Sequence, residues 1–169
     1  MTVTVKSAIQ FNKNNIYLGK SANGYGNTCF ANKDLSVGEI VMMGMGKIIT
    51  HQTSKISVQI GTKKHFRPTM WTGQFWNNSC NPNLYANTRT DGFPNLIALR
   101  KIKRGDELTY SYSMTEYVWG KDAEENSLSC KCNDKKCKGK ILSFSQLTKP
   151  EQEHLIKEDK CSHYLTTLK

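Results

Sequence analysis

Cys130-Lys131-Cys132, followed after four intervening residues by Cys137, puts three of the chain's six cysteines into one short stretch. That spacing constrains the fold more than any other feature, because it is the spacing of metal ligands. A structural zinc ion takes four tetrahedral ligands, usually thiolate or imidazole. Three ligands from one loop require a fourth from elsewhere, and the candidates are Cys29, Cys80, Cys161 and the four histidines. The start of the chain, Met1 to Gln10, lacks the continuous apolar segment of a secretory signal. An intracellular, reducing compartment is expected, cytoplasm or nucleus, where a tight cysteine cluster points to metal and not to disulfides. No apolar run approaches the ~18 residues of a membrane span, so a membrane partner is not expected.

With 169 residues, 37% of them hydrophobic and 22% charged, the chain can bury the core of about one domain. Residues 1–20 read as an opening segment with alternation in Thr2–Val5. Small and turn-forming residues follow from Ser21 to Ala31, where Gly24 and Gly26 permit positive φ or a close backbone approach. Short β-prone runs come next: Glu39–Met42, Lys47–Thr50, Ile56–Ile60, Asn95–Leu99 and Leu108–Tyr112. Gly, Asn and Asp separate them, which argues for a mostly β fold. Two places read as helical. Trp71 to Phe75 fits a short turn, and Thr148-Lys149-Pro150-Glu151 fits a capping box opening a short helix to Lys157. That helix is expected to pack Leu155 and Ile156 onto the domain.

Four blocks carry the chemistry. Gly24-Tyr25-Gly26 precedes Phe30-Ala31. Asn77-Asn78-Ser79-Cys80-Asn81-Pro82-Asn83 is polar and turn-rich. Gly105-Asp106-Glu107-Leu108-Thr109-Tyr110-Ser111-Tyr112 lies downstream, and the cysteine cluster ending at Gly139 closes the series. Taken singly, the glycine pair is weak and the asparagine block is an ordinary surface turn. In this order, from about Ser21 to Ile141, the four together resemble the SET-domain protein lysine methyltransferases with a post-SET zinc cluster.

The resemblance implies small β-sheets around a pseudoknot, a β-clip type of fold, with a post-SET zinc loop and a short C-terminal helix. It divides the chain into residues 21–115 for the SET domain, 128–142 for the zinc cluster and 148–165 for the terminal helix and tail. S-adenosylmethionine is the implied cofactor, with Gly24, Tyr25, Gly26, Asn77, Asn78, Tyr112, Ile141 and Leu142 around it. The main chain at Asn77 and Asn78 is expected to pair with the adenine, and the Asn77 side chain to fix the amino-acid end. Cys80 becomes the implied fourth ligand beside Cys130, Cys132 and Cys137. Tyr112 matches the family's catalytic tyrosine and Tyr110 the neighbouring position that holds Phe or Tyr, where a tyrosine favours mono- or dimethylation. The implied reaction is displacement of the methyl group by a neutral lysine amine. A free lysine, with a pKa of ~10.4, must first lose a proton.

Three departures from the family pattern stand out. Asn78 replaces the usual histidine, Gly44 stands where a tyrosine usually lines the lysine channel and so leaves a gap, and Ser111 replaces a common Asp. The implied partner is a protein or peptide with a target lysine, histone or chromatin-associated. The alternatives are a small peptide or non-histone substrate, or a non-catalytic module stabilised by cofactor or zinc. Lys plus Arg exceeds Asp plus Glu by 24 to 14, a formal charge of +10. Such a balance favours an acidic partner: docking on a DNA-bound or otherwise acidic substrate, or a target that is not a histone.

Overall fold

In the computed structural model, residues 3–50, 56–69, 73–118 and 128–168 are described. The first element is a helix, α1 (Val5–Asn15), where the sequence read only as an opening segment with alternation in Thr2–Val5. Its start is closed by a reciprocal cap: Ser7 N–H donates to Thr4 Oγ1 and Thr4 N–H donates to Ser7 Oγ. The inward face of α1 is polar as well as small, with Ala8, Asn12 and Asn15 buried. This explains why periodicity of apolar residues missed it. Asn12 exchanges two hydrogen bonds with the Met43 backbone, and Asn15 Nδ2 donates to Val41 O. The helix is thus tied to a strand by amides rather than by an apolar stripe.

Ten strands follow among the described residues, in small sheets. β1 (Ile16–Lys20) and β2 (Asn27–Ala31) form an antiparallel pair. β3 (Ile40–Met43), β9 (Pro94–Ala98) and β8 (Leu84–Thr88) form a three-stranded sheet in that order. β4 (Gly46–Ile49), β6 (Lys64–Pro68) and β5 (Val58–Gly61) form a second. β7 (Asn77–Asn78) and β10 (Thr109–Tyr110) make a short parallel ladder, Thr109 opposite Asn77 and Tyr110 opposite Asn78. The core gathers Ile16, Val41, Leu84, Leu96, Ile102, Leu108 and Phe144 between these sheets.

Strand expectations over Glu39–Met42, Lys47–Thr50, Ile56–Ile60 and Asn95–Leu99 fall on β3, β4, β5 and β9 within two residues. The run Leu108–Tyr112 is only partly extended: β10 holds Thr109–Tyr110, and Tyr112–Met114 turns into a 3-10 helix. The expected turn at Trp71 to Phe75 lies partly outside the described residues. The terminal helix is α2 (Lys149–Lys157), with Thr148 and Glu151 in the expected reciprocal cap. Leu155 packs on the core, whereas Ile156 is exposed. One residue along a helix is a rotation of about 100°, so neighbours cannot both face inward. A last short helix, α3 (His163–Thr166), buries Leu165. No described helix is long and apolar enough to cross a membrane.

Candidate active site

The β7–β10 ladder brings the asparagine block and the tyrosine block side by side. Asn83 locks the crossing. Its Nδ2 donates to Glu107 O at 2.8 Å, and its Oδ1 accepts Thr109 N–H at 2.9 Å. Asn77 Nδ2 donates to Glu107 Oε1, and Ser21 Oγ donates to the other carboxylate oxygen. Glu107 therefore joins the glycine loop to the asparagine block. Neither Glu107 nor Asn83 stood out in the sequence as a bracing residue, although both lie inside the recognised blocks.

Tyr110 ends strand β10 and Tyr112 opens the 3-10 helix that follows, with ring centroids 5.3 Å apart. Tyr112 Oη donates to the Trp76 carbonyl at 2.6 Å, and Tyr110 Oη lies 3.4 Å from Thr115 Oγ1. Burial pushes both phenols above their ordinary pKa, helped by the neighbouring Glu116 carboxylate. At neutral pH each is a neutral hydroxyl that can donate one hydrogen bond and accept others. Neither serves as a phenolate base.

Asn78 occupies the place expected for histidine, and both ends of its amide make contacts. Its Oδ1 accepts the Tyr112 N–H at 3.0 Å while its Nδ2 faces Cys130 Sγ at 3.5 Å. Asn78 is 3% exposed, so this bridge between tyrosine and cysteine loop is shielded from water. Gly44 does not open a gap. A Cβ there would stand 2.5 Å from the Pro94 carbonyl oxygen, to which Gly44 N–H donates. The expected widening of a channel at Gly44 is corrected: backbone fills the space.

The four expected ligands meet. Sγ atoms of Cys80, Cys130, Cys132 and Cys137 all lie within 4.8 Å of one another. The Cys80–Cys130 pair is 3.7 Å apart, against the ~3.8 Å edge of a tetrahedron with ~2.3 Å zinc–sulfur bonds. The donor set thus fits one tetrahedral thiophilic ion. Burial pushes the Cys80 thiol up to about 12, so ionising it at neutral pH requires a cation at the centre of the cluster. Cys29 and Cys161 are buried away from the cluster. The loop is closed at its base by Cys130 N–H to Gly139 O and Ile141 N–H to Leu128 O. Tyr25 ties it to the glycine loop, accepting Lys131 N–H and donating to Cys130 Sγ at 3.6 Å.

Two recesses flank Asn78. One, of about 210 Å³, is polar and lined by Asn23, Tyr25, Glu107, Arg100 and Cys132 among others. The other, of about 400 Å³, runs between Ser113, Leu142, Lys138 and the helix residues Glu151, His154 and Leu155. That volume lies in the ~300–1,000 Å³ range of small-molecule sites. Of the two residues expected beyond the cluster, Leu142 lines this recess, whereas Ile141 is buried. Lys138 and Glu151 form an ion pair at 2.5 Å across its rim, joining cysteine loop to α2. Gly24 and Gly26 hold φ of +74° and +89°, and a Cβ on either would meet nothing within 4 Å. The positive φ demands glycine, and the backbone there faces open space that a ligand can approach.

A sequence family described as SET domain matches residues 26–113. The H3 lysine-36 specific histone-lysine N-methyltransferase of Yarrowia lipolytica is 31% identical over 128 residues, covering 64% of this chain and 16% of that protein. The H3 lysine-4 specific histone-lysine N-methyltransferase of Emericella nidulans is 29% identical over 129 residues, covering 65% of this chain and 10% of that protein. The chain therefore spans a small part of these curated relatives. Among solved structures, KRYPTONITE in complex with mCHH DNA, an H3(1-15) peptide and SAH superposes with a TM-score of 0.61 at 21% identity. That match covers 75% of this chain and 29% of KRYPTONITE, and it supports the fold.

Proposed function

The chain belongs to the SET-domain family, and on that premise we propose that it is an S-adenosylmethionine-dependent protein-lysine methyltransferase. The observation that carries this reading is the convergence on one buried amide. Asn78 hydrogen-bonds the Tyr112 backbone and a cysteine of the four-thiol cluster, and lines both recesses.

Under this reading the polar recess takes the amino-acid end of the cofactor and the recess beside Leu142 takes the adenine. Gly24, Tyr25, Gly26, Asn77, Asn78 and Leu142 hold it, and Ile141 supports Leu142 from the core. The cofactor supplies an activated methyl group on a sulfonium sulfur. Cys80, Cys130, Cys132 and Cys137 would hold zinc, whose contribution is a crosslink between cysteine loop and asparagine block with no open position for water. Tyr112 and Tyr110 line the end of the lysine channel. Their neutral hydroxyls orient the amine for in-line attack, a positioning role. A sulfonium beside the channel and loss of solvent both disfavour the ammonium form of the lysine.

The substrate class is the lysine side chain of a protein, and histone H3 is the first to test because the relatives named above act on it. A chromatin location, and a substrate carried on nucleic acid, suit the excess of Lys and Arg. Incubation of the zinc-loaded protein with labelled S-adenosylmethionine and nucleosomes tests the reading. Label on a histone lysine supports it. No label on nucleosomes, free histones or a mixed protein extract contradicts it.

A further inference from the structure

Glu116 is a buried carboxylate for which methyl transfer as described has no use. It is 5% exposed and follows directly on the tyrosine segment. Its Oε1 accepts the Gln59 N–H at 3.0 Å and the Thr115 hydroxyl at 3.3 Å. Thr115 is 1% exposed, and its Oγ1 lies 3.4 Å from Tyr110 Oη. Three groups thus form one line: Tyr110 Oη, Thr115 Oγ1, Glu116 Oε1. The Thr115 hydroxyl can also donate to the Tyr112 carbonyl at 3.4 Å, and in its contact with Tyr110 either hydroxyl can be the donor.

A buried carboxylate is costly unless a cation accompanies it. The groups that face Glu116 are Tyr110 and Tyr112 from its own segment, Tyr164 from α3 and Gln59 from β5. None of them is cationic, and among the described residues no Lys, Arg or His pairs with it. The reaction brings two cations to this region, the cofactor sulfonium and the substrate ammonium, and of these the ammonium is the one with a proton that the attack requires it to lose. We propose that Glu116 is the terminal acceptor of a hydroxyl relay, through Tyr110 and Thr115, that takes the proton from the substrate lysine. The inference rests on the methyltransferase reading and on Tyr110 lining the lysine channel.

The proton count closes. The lysine N–H proton passes to Tyr110 Oη, the Tyr110 proton to Thr115 Oγ1, and the Thr115 proton to Glu116. Lysine is left neutral and Glu116 protonated, with both hydroxyls restored. The amine lone pair then forms the N–CH3 bond as the CH3–S bond of S-adenosylmethionine breaks, giving methyl-lysinium and S-adenosylhomocysteine. After product leaves, the proton returns along the same line to water in the channel. Burial supports this assignment by raising the Glu116 carboxyl to about 7, nearer to lysine than an ordinary glutamate.

Single-turnover methyl transfer measured against pH tests the relay in wild type, Glu116→Gln and Thr115→Val. The glutamine keeps an acceptor for Gln59 N–H, and the valine cuts the line by removing the Thr115 hydroxyl while leaving the Glu116 carboxylate and its Gln59 N–H bond in place. The relay requires both variants to lose about 10²-fold in rate near neutral pH while binding S-adenosylhomocysteine as wild type does. It also requires the wild-type profile to bend near pH 7 and the variant profiles to climb steadily as solvent takes over deprotonation. Independently of activity, a carboxyl stretch in the infrared should titrate over the same range in wild type and be missing in Glu116→Gln. Should the glutamine variant misfold by circular dichroism, the valine variant decides. Wild-type rates and an unchanged bend in either folded variant overturn the relay and leave the methyltransferase reading standing. A wild type that transfers no methyl to any protein overturns both.

Discussion

Asn78 Oδ1 accepts the backbone N–H of Tyr112 at 3.0 Å, so the side chain that replaces an expected histidine is itself the brace of the tyrosine. The same amide reaches Cys130 Sγ at 3.5 Å. Asn78→Ala leaves a buried N–H unpaired, which costs about 1–3 kcal/mol. The variant is expected to melt earlier and to lose turnover more than cofactor affinity, because Tyr112 is freed. A calorimetric melt and kinetic constants for cofactor and peptide check this. Loss of cofactor affinity with intact turnover would assign Asn78 to the ligand instead.

Gly44 is expected to tolerate no side chain. A Cβ would press on the Pro94 carbonyl at 2.5 Å, and overpacking of this kind costs about 1–3 kcal/mol. Gly44→Ala should lower the melting temperature, and Gly44→Tyr should fail to fold rather than restore a channel wall. A Gly44→Tyr protein with a wild-type melt would show that the β3–β9 backbone yields there.

The four thiols call for one equivalent of metal per chain. Atomic emission on the purified protein is expected to find zinc near that ratio, and Cys137→Ser to lower it. Chelation should loosen the loop, raising protease cleavage between residues 128 and 142. A metal-free protein that is folded and active would remove zinc from the account. The Tyr25 bridge to Cys130 adds a check, since Tyr25→Phe loses the acceptor of Lys131 N–H and should speed cleavage of the same loop.

Burial raises the Glu116 carboxyl from 4.5 to about 7. Between those values the folded protein holds a proton that the unfolded chain has released. Stability therefore falls as pH rises from about 4.5 to about 7, then levels off. The full penalty is about 3 kcal/mol. Glu116→Gln is expected to be more stable than wild type above pH 7, by up to that amount, with the two converging in mild acid. Urea midpoints across this range measure it. A wild type whose stability rises with pH over the window would show Glu116 ionised in the folded state.

Much of the candidate site was legible in the sequence, because its chemistry demands particular residue types. Four thiols for one ion and a tyrosine pair after Glu107-Leu108-Thr109 leave marks that spacing alone preserves. The helix α1 was not legible, since Asn12 and Asn15 face inward and bind backbone where periodicity looks for apolar side chains. Strands β1, β2, β6 and β8 were missed as well, their residues too mixed to alternate cleanly. Gly44 misled because a missing side chain reads the same whether backbone or open space stands beside it. Glu116 was invisible for a related reason: only packing makes an acidic residue costly.

Mass spectrometry of a histone H3 substrate after incubation with wild type and with Tyr112→Phe tests the central claim most directly. The account expects methyl groups on lysine Nζ with wild type. It expects little or none with Tyr112→Phe, although the variant still binds S-adenosylhomocysteine. Equal methylation by the two proteins would contradict the role given to Tyr112. A wild type that binds the cofactor yet leaves every lysine of histone and extract proteins unmodified would contradict the enzyme itself.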